Sequence, residues 1–562
     1  MMRRKNIILI AALLIIGGQS FGQDFLLAES FGGSLTDIGH AIAVDAEGNI
    51  YCTGTFKGTA DFDPGAGVFN LTSHGDNDIF ITKTDEEGNF LWAKGFGGGG
   101  IDYVFSMALD KDANIYTCGN FTGTADFDPG AATVNLTSNG MVDIFISKLD
   151  MDGNFIWAQS LGAEEYDEPL SIKTDDAGNI YTAGYYYGEV DFDAGPSTNS
   201  LTAVGGYDVF ILKLDEDGNY IWAKSMGGTG WDFAFSVALD NEGNIYSTGY
   251  FASTADFDPG DDESNLTSAG NYDVFISKLD ADGNYVWVKR VGGSDVDYGF
   301  VVATDNEDNV YVTGSFYSTP DFDPGAGVYE LSSAGAYDIF YLKLDSEGNF
   351  IWAKNTGGPL FDYVNSMVVD AAGDFYSTGY FQGTSDFDAG ADEMNISVVG
   401  MDDIFIQKSD ANGNLLWVKT MGSATNDIGI SLCLDNEGNI ATLGYYTGTV
   451  DFDPGAGTTE LTSAGDIDTY VLKLTNTVVV TSINSVPVAQ ANVYPNPGSG
   501  NFMLTSDQII RDFKIYSSEG KLIYQNEPLQ RSVNFNIGQC GIYFIQLNAH
   551  EETQILKLVV EK

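Results

Sequence analysis

The pentapeptide Asp-Phe-Asp-Pro-Gly returns along this chain at a fixed interval. It stands at Asp61–Gly65, Asp126–Gly130, Asp256–Gly260, Asp321–Gly325 and Asp451–Gly455. In the copies Asp191–Gly195 and Asp386–Gly390 the proline is replaced by Ala194 and Ala389. The seven copies follow one another every 65 residues, without insertion or deletion. A period of this length means that one supersecondary unit is stacked on copies of itself, so the fold must be read as an array.

One unit carries four strand signals. Ala41–Asp45 is a short apolar run, Ile50–Phe56 is rich in β-formers, Asp78–Thr84 alternates, and Phe90–Phe96 holds the unit's single Trp. Asp45–Asn49 and Asp85–Asn89 read Asp-x-x-Gly-Asn, a hairpin loop with glycine in the left-handed position. A longer connection holding the pentapeptide joins the second and third strands. Four antiparallel strands in each of seven units predict an all-β seven-bladed β-propeller over residues 24–478. Trp recurs at 92, 157, 222, 287, 352 and 417, whereas the seventh step holds Ser482. The missing strand stands at the other end: Asp24–Ala28 lies one period before Asn89–Ala93. The N-terminal strand is therefore expected to complete the last blade as its outer strand and close the ring. That order puts the Asp-x-x-Gly-Asn hairpins on one face. The pentapeptide loops and the blade-to-blade loops fall on the other, the top face.

Composition narrows the partners. The formal net charge is −55 and the acid excess lies in the repeats, a field that repels nucleic acid and anionic membranes and attracts cations. The four cysteines, Cys52, Cys118, Cys433 and Cys540, follow neither the period nor a CxxC spacing. They are expected to be small buried side chains, not a disulfide framework. Residues 1–22 read as a signal peptide, with Arg3, Arg4 and Lys5 before the apolar run Ile7–Ile16. That run is too short to span a bilayer, and no other segment reads as a transmembrane span in the mature chain.

The strands Gly48–Gly54 (Gly-Asn-Ile-Tyr-Cys-Thr-Gly) and Gly88–Lys94 (Gly-Asn-Phe-Leu-Trp-Ala-Lys) make the repeats resemble the β-propeller repeat (SBBP) of exported bacterial proteins. The resemblance implies the fold and no activity. After a linker at 479–491, residues 492–562 change pattern. Tyr494–Pro497, Gly500-Asn501-Phe502, Gly520-Lys521, Gly541-Ile542-Tyr543 and the Lys-containing end Lys557–Lys562 resemble the C-terminal sorting domain of the Bacteroidetes type IX secretion system. That resemblance implies a small β-sandwich, a partnership with the type IX machinery, and delivery to the outer-membrane cell surface or the medium.

The candidate cation ligands are the paired carboxylates of the pentapeptide: Asp61 and Asp63, Asp126 and Asp128, Asp191 and Asp193, Asp256 and Asp258, Asp321 and Asp323, Asp386 and Asp388, Asp451 and Asp453. Residues i and i+2 of an extended strand share a side, and hard oxygens of this kind suit Ca²⁺. The alternative is a turn, with Asp capping the loop and Pro-Gly setting its backbone. The hairpins Asp215–Asn219 and Asp280–Asn284 look calcium-like but lack the length and closing Glu of an EF-hand loop, and are read as turns. Tyr103, Tyr166, Trp231, Tyr298 and Tyr363 are the candidate ligand-binding residues. They vary between blades on the expected blade-to-blade loops, beside carboxylates, as on sugar or protein contact surfaces. Packing between blades is the other account.

No catalytic residue is assigned. Among the three histidines, His40 and His74 have no counterpart in other repeats, and no nucleophile-elbow, zincin or P-loop motif occurs. The expectation is a non-enzymatic binding or adhesion module for an extracellular glycan or protein. The alternative is a polysaccharide lyase or glycoside hydrolase using top-face carboxylates such as Asp102 or Asp167.

Overall fold

The computed structural model describes residues 23–390, 393–478, 491–496, 499, 501–517, 521–528, 530–549 and 552–560. The expected signal peptide, and all of the expected linker except Ala491, lie outside the described residues. Every helix-or-strand element among the described residues is a β-strand. The chain divides into two compact units, Met1–Val479 and Val480–Lys562.

In the first unit each repeat builds one antiparallel sheet in chain order. The first repeat uses Ile38–Val44, Ile50–Asp61, Asn70–Thr84 and Phe90–Gly98, each paired with its neighbour. The second and third strands run longer than the periodic pattern indicates, through the pentapeptide's first residue. Elsewhere the same stretch breaks in two, as at Ile115–Phe121 and Thr124–Asp126. Buried side chains on both faces of the middle strands explain the near-continuous apolar runs: Ile79, Phe80 and Ile81 are all fully buried.

The Asp-x-x-Gly-Asn hairpins form as expected. Asp45 Oδ1 accepts the N–H groups of Glu47 and Asn49 at 3.0 and 2.9 Å, and Gly48 sits at φ +88°. Ala113 and Asp308 occupy this left-handed position in two other repeats, at a cost of about 1–2 kcal/mol each. Behind the hairpin, Lys83 Nζ lies 3.7 Å from Asp45 Oδ2 and 4.7 Å from the centre of the Tyr51 ring, and the Tyr51 hydroxyl donates to the same carboxylate at 3.1 Å. Trp92 meets Tyr51 edge-on, and in later repeats the indole N–H reaches the next repeat's hairpin, as in Trp287 Nε1 to Ser346 O at 3.1 Å. The Trp series therefore ties repeat to repeat.

The N-terminal strand pairs where the Trp count predicts. Gln23–Gly33 runs antiparallel to Asp468–Val478, with Ala28 opposite Leu472. Its far end, Gly32 and Gly33, pairs with Asp61 and Ala60 of the first repeat, as Gly97 and Gly98 pair with Asp126 and Ala125. Further bonds join the first and last repeats, among them Asp37 N to Ile467 O at 2.9 Å, Thr469 Oγ1 to Asp37 O at 3.1 Å, Asn436 Nδ2 to Ala46 O at 3.0 Å and Ile42 N to Ser431 Oγ at 3.4 Å.

The second unit is built on one long strand, Asn501–Ser517. Its first half pairs with Ala491–Tyr494 and Gln530–Asn536, and its second half with Leu522–Asn526 and Gly541–Ala549. Glu552–Val560 adds beyond Gly541–Ala549. In Gln530–Asn536 only Val533 and Phe535 turn inward, and the polar residues around them are exposed. Phe502, Phe513, Ile515, Phe535, Ile545 and Leu558 form the core.

Candidate functional site

The pentapeptide is first of all a plug. Phe62 is fully buried and packs on Phe31, Phe56 and Phe80, at ring separations from 4.9 to 5.8 Å. On either side of it the carboxylates bind backbone. Asp61 Oδ1 accepts the N–H groups of Asp63 (3.1 Å) and Phe69 (2.7 Å), and Asp63 Oδ1 accepts that of Gly65 (2.9 Å). The same bonds recur at Asp126 and Asp128, Asp191 and Asp193, Asp256 and Asp258, Asp321 and Asp323, Asp386 and Asp388, and Asp451 and Asp453. Asp215 and Asp280 do likewise in their hairpins. Among the described residues no three His, Cys, Asp or Glu side chains converge as a metal set.

The acids read as lining the top face are mostly inside it. Asp37, Asp102, Asp167, Asp232, Asp297, Asp362 and Asp427 are buried, and so are Asp78, Asp143, Asp208, Asp273, Asp338, Asp403 and Asp468. They meet in pairs, one from the third strand of a repeat and one from the first strand of the next. A methyl group built on Gly97 would lie 2.8 Å from Asp102 Oδ2 and 3.0 Å from Asp78 Oδ1. Each carboxylate accepts backbone N–H groups, such as Gly98 N to Asp102 Oδ2 at 2.6 Å, yet several Oδ1 atoms stay buried without a hydrogen bond. Burial, reinforced by the paired carboxylate, pushes Asp37, Asp102 and Asp297 up to about 7. Among the described residues, Arg290 is the one Lys or Arg that forms an ion pair with a third-strand junction acid, Asp273.

The aromatic candidates do converge. Tyr103, Tyr298 and Tyr363 lie on the strands Asp102–Leu109, Asp297–Thr304 and Asp362–Val369, not on loops as their spacing suggests, and are half-buried. Tyr166 and Trp231 lie just ahead of their strands, and Trp231 is 54% exposed. Trp231 touches Tyr207 at 6.0 Å, Tyr207 touches Phe233, and Phe233 lies 4.9 Å from Tyr250. Tyr250 meets Tyr298 at 5.1 Å, Tyr298 meets Tyr337 at 6.0 Å, and Tyr337 meets Tyr363 at 5.7 Å. The result is one continuous aromatic belt across the third to sixth repeats, with Tyr187, Trp231, Tyr317 and Phe361 exposed along it. The sequence signal for the other members was available: Tyr207, Tyr272 and Tyr337 are one period apart, as are Tyr185 and Tyr250.

Tyr103 and Tyr166 belong to an adjoining cleft of about 530 Å³. Ile101, Phe105 and Met141 supply apolar wall, and His40, Asn120 and Glu168 supply polar groups. Glu168 bonds to Tyr185, which continues the cleft into the belt. Burial holds His40 down at about 4, so it is a neutral imidazole here, 3.3 Å from Thr55 Oγ1. His74 is elsewhere engaged, with Nδ1 2.9 Å from Asp78 Oδ2. Of the cysteines, Cys52 and Cys118 are buried as expected, Cys433 is partly exposed, and Cys540 is exposed. The expectation of burial thus fails for Cys540, which precedes a strand at an open turn.

Comparison with known proteins agrees with this architecture. A family model described as a secretion system C-terminal sorting domain matches residues 492–561, and one described as a beta-propeller repeat matches residues 31–55 and 286–315. A WD repeat-containing protein of Acanthamoeba polyphaga mimivirus is 23% identical over 510 residues, covering 76% of this chain and 36% of that one. The regulatory protein FlaEY of Caulobacter vibrioides is 24% identical over 184 residues, covering 32% and 19%. The chain thus spans 36% and 19% of the length of these two curated relatives. Among solved structures, Sqt1 from Chaetomium thermophilum overlaps 81% of this chain and 100% of its own, with a TM-score of 0.38 and 12% identity. PorZ, a surface component of the type-IX secretion system of Porphyromonas gingivalis, overlaps 95% and 100%, with a TM-score of 0.16 and 12% identity. The chain is an all-β protein of beta-propeller repeats. It carries a type IX secretion C-terminal sorting domain, which directs it to the cell surface or the outside. No described helix is long and apolar enough to cross a membrane.

Proposed function

We propose that the repeats close into a seven-bladed ring followed by a small β-sandwich. In this reading the ring is a non-enzymatic module that binds an extracellular glycan or protein. The observation that carries the reading is the aromatic belt. Exposed rings fixed by their neighbours offer large contact area at little entropic cost, and stacked faces suit both sugar rings and protein side chains. What weighs against a lyase or hydrolase is the state of the carboxylates: Asp102 and Asp167 are fully buried and bound to backbone N–H groups. The test is a glycan array probed with the purified chain, with product release assayed on the same glycans. Binding without turnover that falls at least 10-fold in Trp231→Ala or Tyr363→Ala is the expected result. Turnover, or binding indifferent to both substitutions, sinks it.

Ca²⁺ binding at the Asp61 and Asp63 series is a second proposal. It rests on the Oδ2 atoms of these carboxylates, which the turn's backbone N–H groups leave over, although at Asp193 the Asn199 side chain donates to Oδ2 at 2.9 Å. The expected signature is weak, multiple binding by calorimetry at physiological salt, reduced in proportion when single Asp63-type residues become Asn. Silence on addition of Ca²⁺, with no shift in melting on chelation, removes it.

A further inference from the structure

A bore of about 1090 Å³ is lined by the first strands of all seven repeats. Its wall mixes polar groups with apolar side chains, Ile42, Met107, Phe235, Phe300, Met367 and Leu432 among the latter. In a chain with 80 Asp and Glu residues, none of the described lining residues is acidic. The serines that face it are already engaged, since Ser106, Ser171, Ser236, Ser366 and Ser431 each accept the N–H of a neighbouring repeat.

One residue breaks this pattern. Ala43, Ala108, Lys173, Ala238, Ala303, Val368 and Cys433 occupy one position of the repeat, and all line the bore. Lys173 is the only Lys or Arg among the described lining residues. The side chain reaches water inside the bore, while protein surrounds it at longer range and lowers its pKa. No ion pair or side-chain hydrogen bond of Lys173 is formed among the described residues, although the seven lysines of the Lys83 series find partners. Lys83, Lys148, Lys278, Lys343, Lys408 and Lys473 each pair with an Asp of a first hairpin or its equivalent, and Lys213 lies over Tyr181. An ammonium without a counter-charge of its own is stabilised by an anion that reaches it, because Coulomb attraction is stronger beside protein than in bulk water.

We propose that the bore is a binding site for a monocarboxylate with an apolar body, its carboxylate held by Lys173 and its body by the aliphatic and aromatic wall. The bore adjoins the belt, since Phe235 packs on Tyr250 and Phe300 on Tyr298, but Lys173 lies outside the belt and neither reading depends on the other. The acids that follow the lining strands do not bar entry, since most are matched by the lysines just named. Beyond a screening length of about 8 Å at physiological salt, the surface charge is largely muted.

The probe is octanoate, titrated calorimetrically into the full chain, with octanol as a neutral control of similar shape. Lys173→Ala installs the residue that four other repeats carry at this position and leaves the rest of the wall unchanged. Lys173→Arg keeps the charge. The proposal expects saturable octanoate binding, weakened at least 10-fold in Lys173→Ala, retained within about 3-fold in Lys173→Arg, and octanol binding that the substitutions leave unchanged. Octanoate bound equally by the Ala variant, or not bound by the unsubstituted chain, overturns it. Melting curves of both variants confirm that each is folded when titrated.

Discussion

At the scale of single residues, the pentapeptide divides its labour between a ring and two carboxylates. Phe62 fills a space between neighbouring sheets with no exposure, so truncation leaves a cavity as well as lost transfer energy. Phe62→Ala is expected to cost about 3–5 kcal/mol. Asp63 only caps a turn that has other support, and Asp63→Ala is expected to cost about 1 kcal/mol. Chemical denaturation of the two variants separates these roles, and equal losses would deny the plug. The sequence made both residues visible through their period. It could not rank them, because periodic identity reports that a position is constrained and not whether it is buried. The same blindness explains the Asp37 and Asp78 series, whose paired burial arises only when adjacent repeats dock.

At the scale of elements, the strand count already placed the N-terminal strand in the last repeat's sheet. Six Trp steps and a Ser at the seventh placed the missing strand at Asp24–Ala28, and Gln23–Gly33 pairs with Asp468–Val478. Removing residues 23–33 should therefore strip one edge from the last repeat's sheet and also lose the contacts of Phe31 with Phe62 and Phe80. An unpaired edge also invites association. The expected outcome is a melting midpoint at least 10 °C lower and a rise in aggregates by light scattering. An unchanged midpoint contradicts the closure. Less legible were the tyrosines at 103, 298 and 363. Their glycine- and acid-rich surroundings look like loop, yet the first strands begin at the buried Asp just before each of them.

For the molecule as a whole, the junction acids and the hairpin acids pull stability in opposite directions with pH. Burial raises Asp102, Asp208, Asp297 and Asp338 to about 7 and Asp167, Asp232, Asp362, Asp403 and Asp468 to about 6. The folded state then holds more protons than the unfolded chain between about pH 4 and 7. Each excess proton contributes about 1.4 kcal/mol of stability per pH unit, present at the acid end and lost as pH rises through the folded values. The hairpin acids Asp110, Asp240, Asp305 and Asp435 are held below their ordinary range, with hydrogen bonds from Asn side chains and backbone N–H groups outweighing burial. Their contribution is present above pH 4 and lost as pH falls below it. The melting midpoint should therefore rise as pH falls from 7.5 to a maximum near pH 4 and fall again below it. Arg290 supplies an internal control. It provides at one junction a fixed positive charge that the other six lack, where the equivalent positions hold Ser, Gly, Asn or Thr. Arg290→Ser should lower the midpoint more at pH 7.5 than at pH 5, because at the lower pH a proton can neutralise the freed pair as at the other junctions. An equal loss at both values, or a midpoint that climbs steadily from pH 5 to 7.5, would mean that the junction carboxylates stay ionised and that something other than a proton balances them.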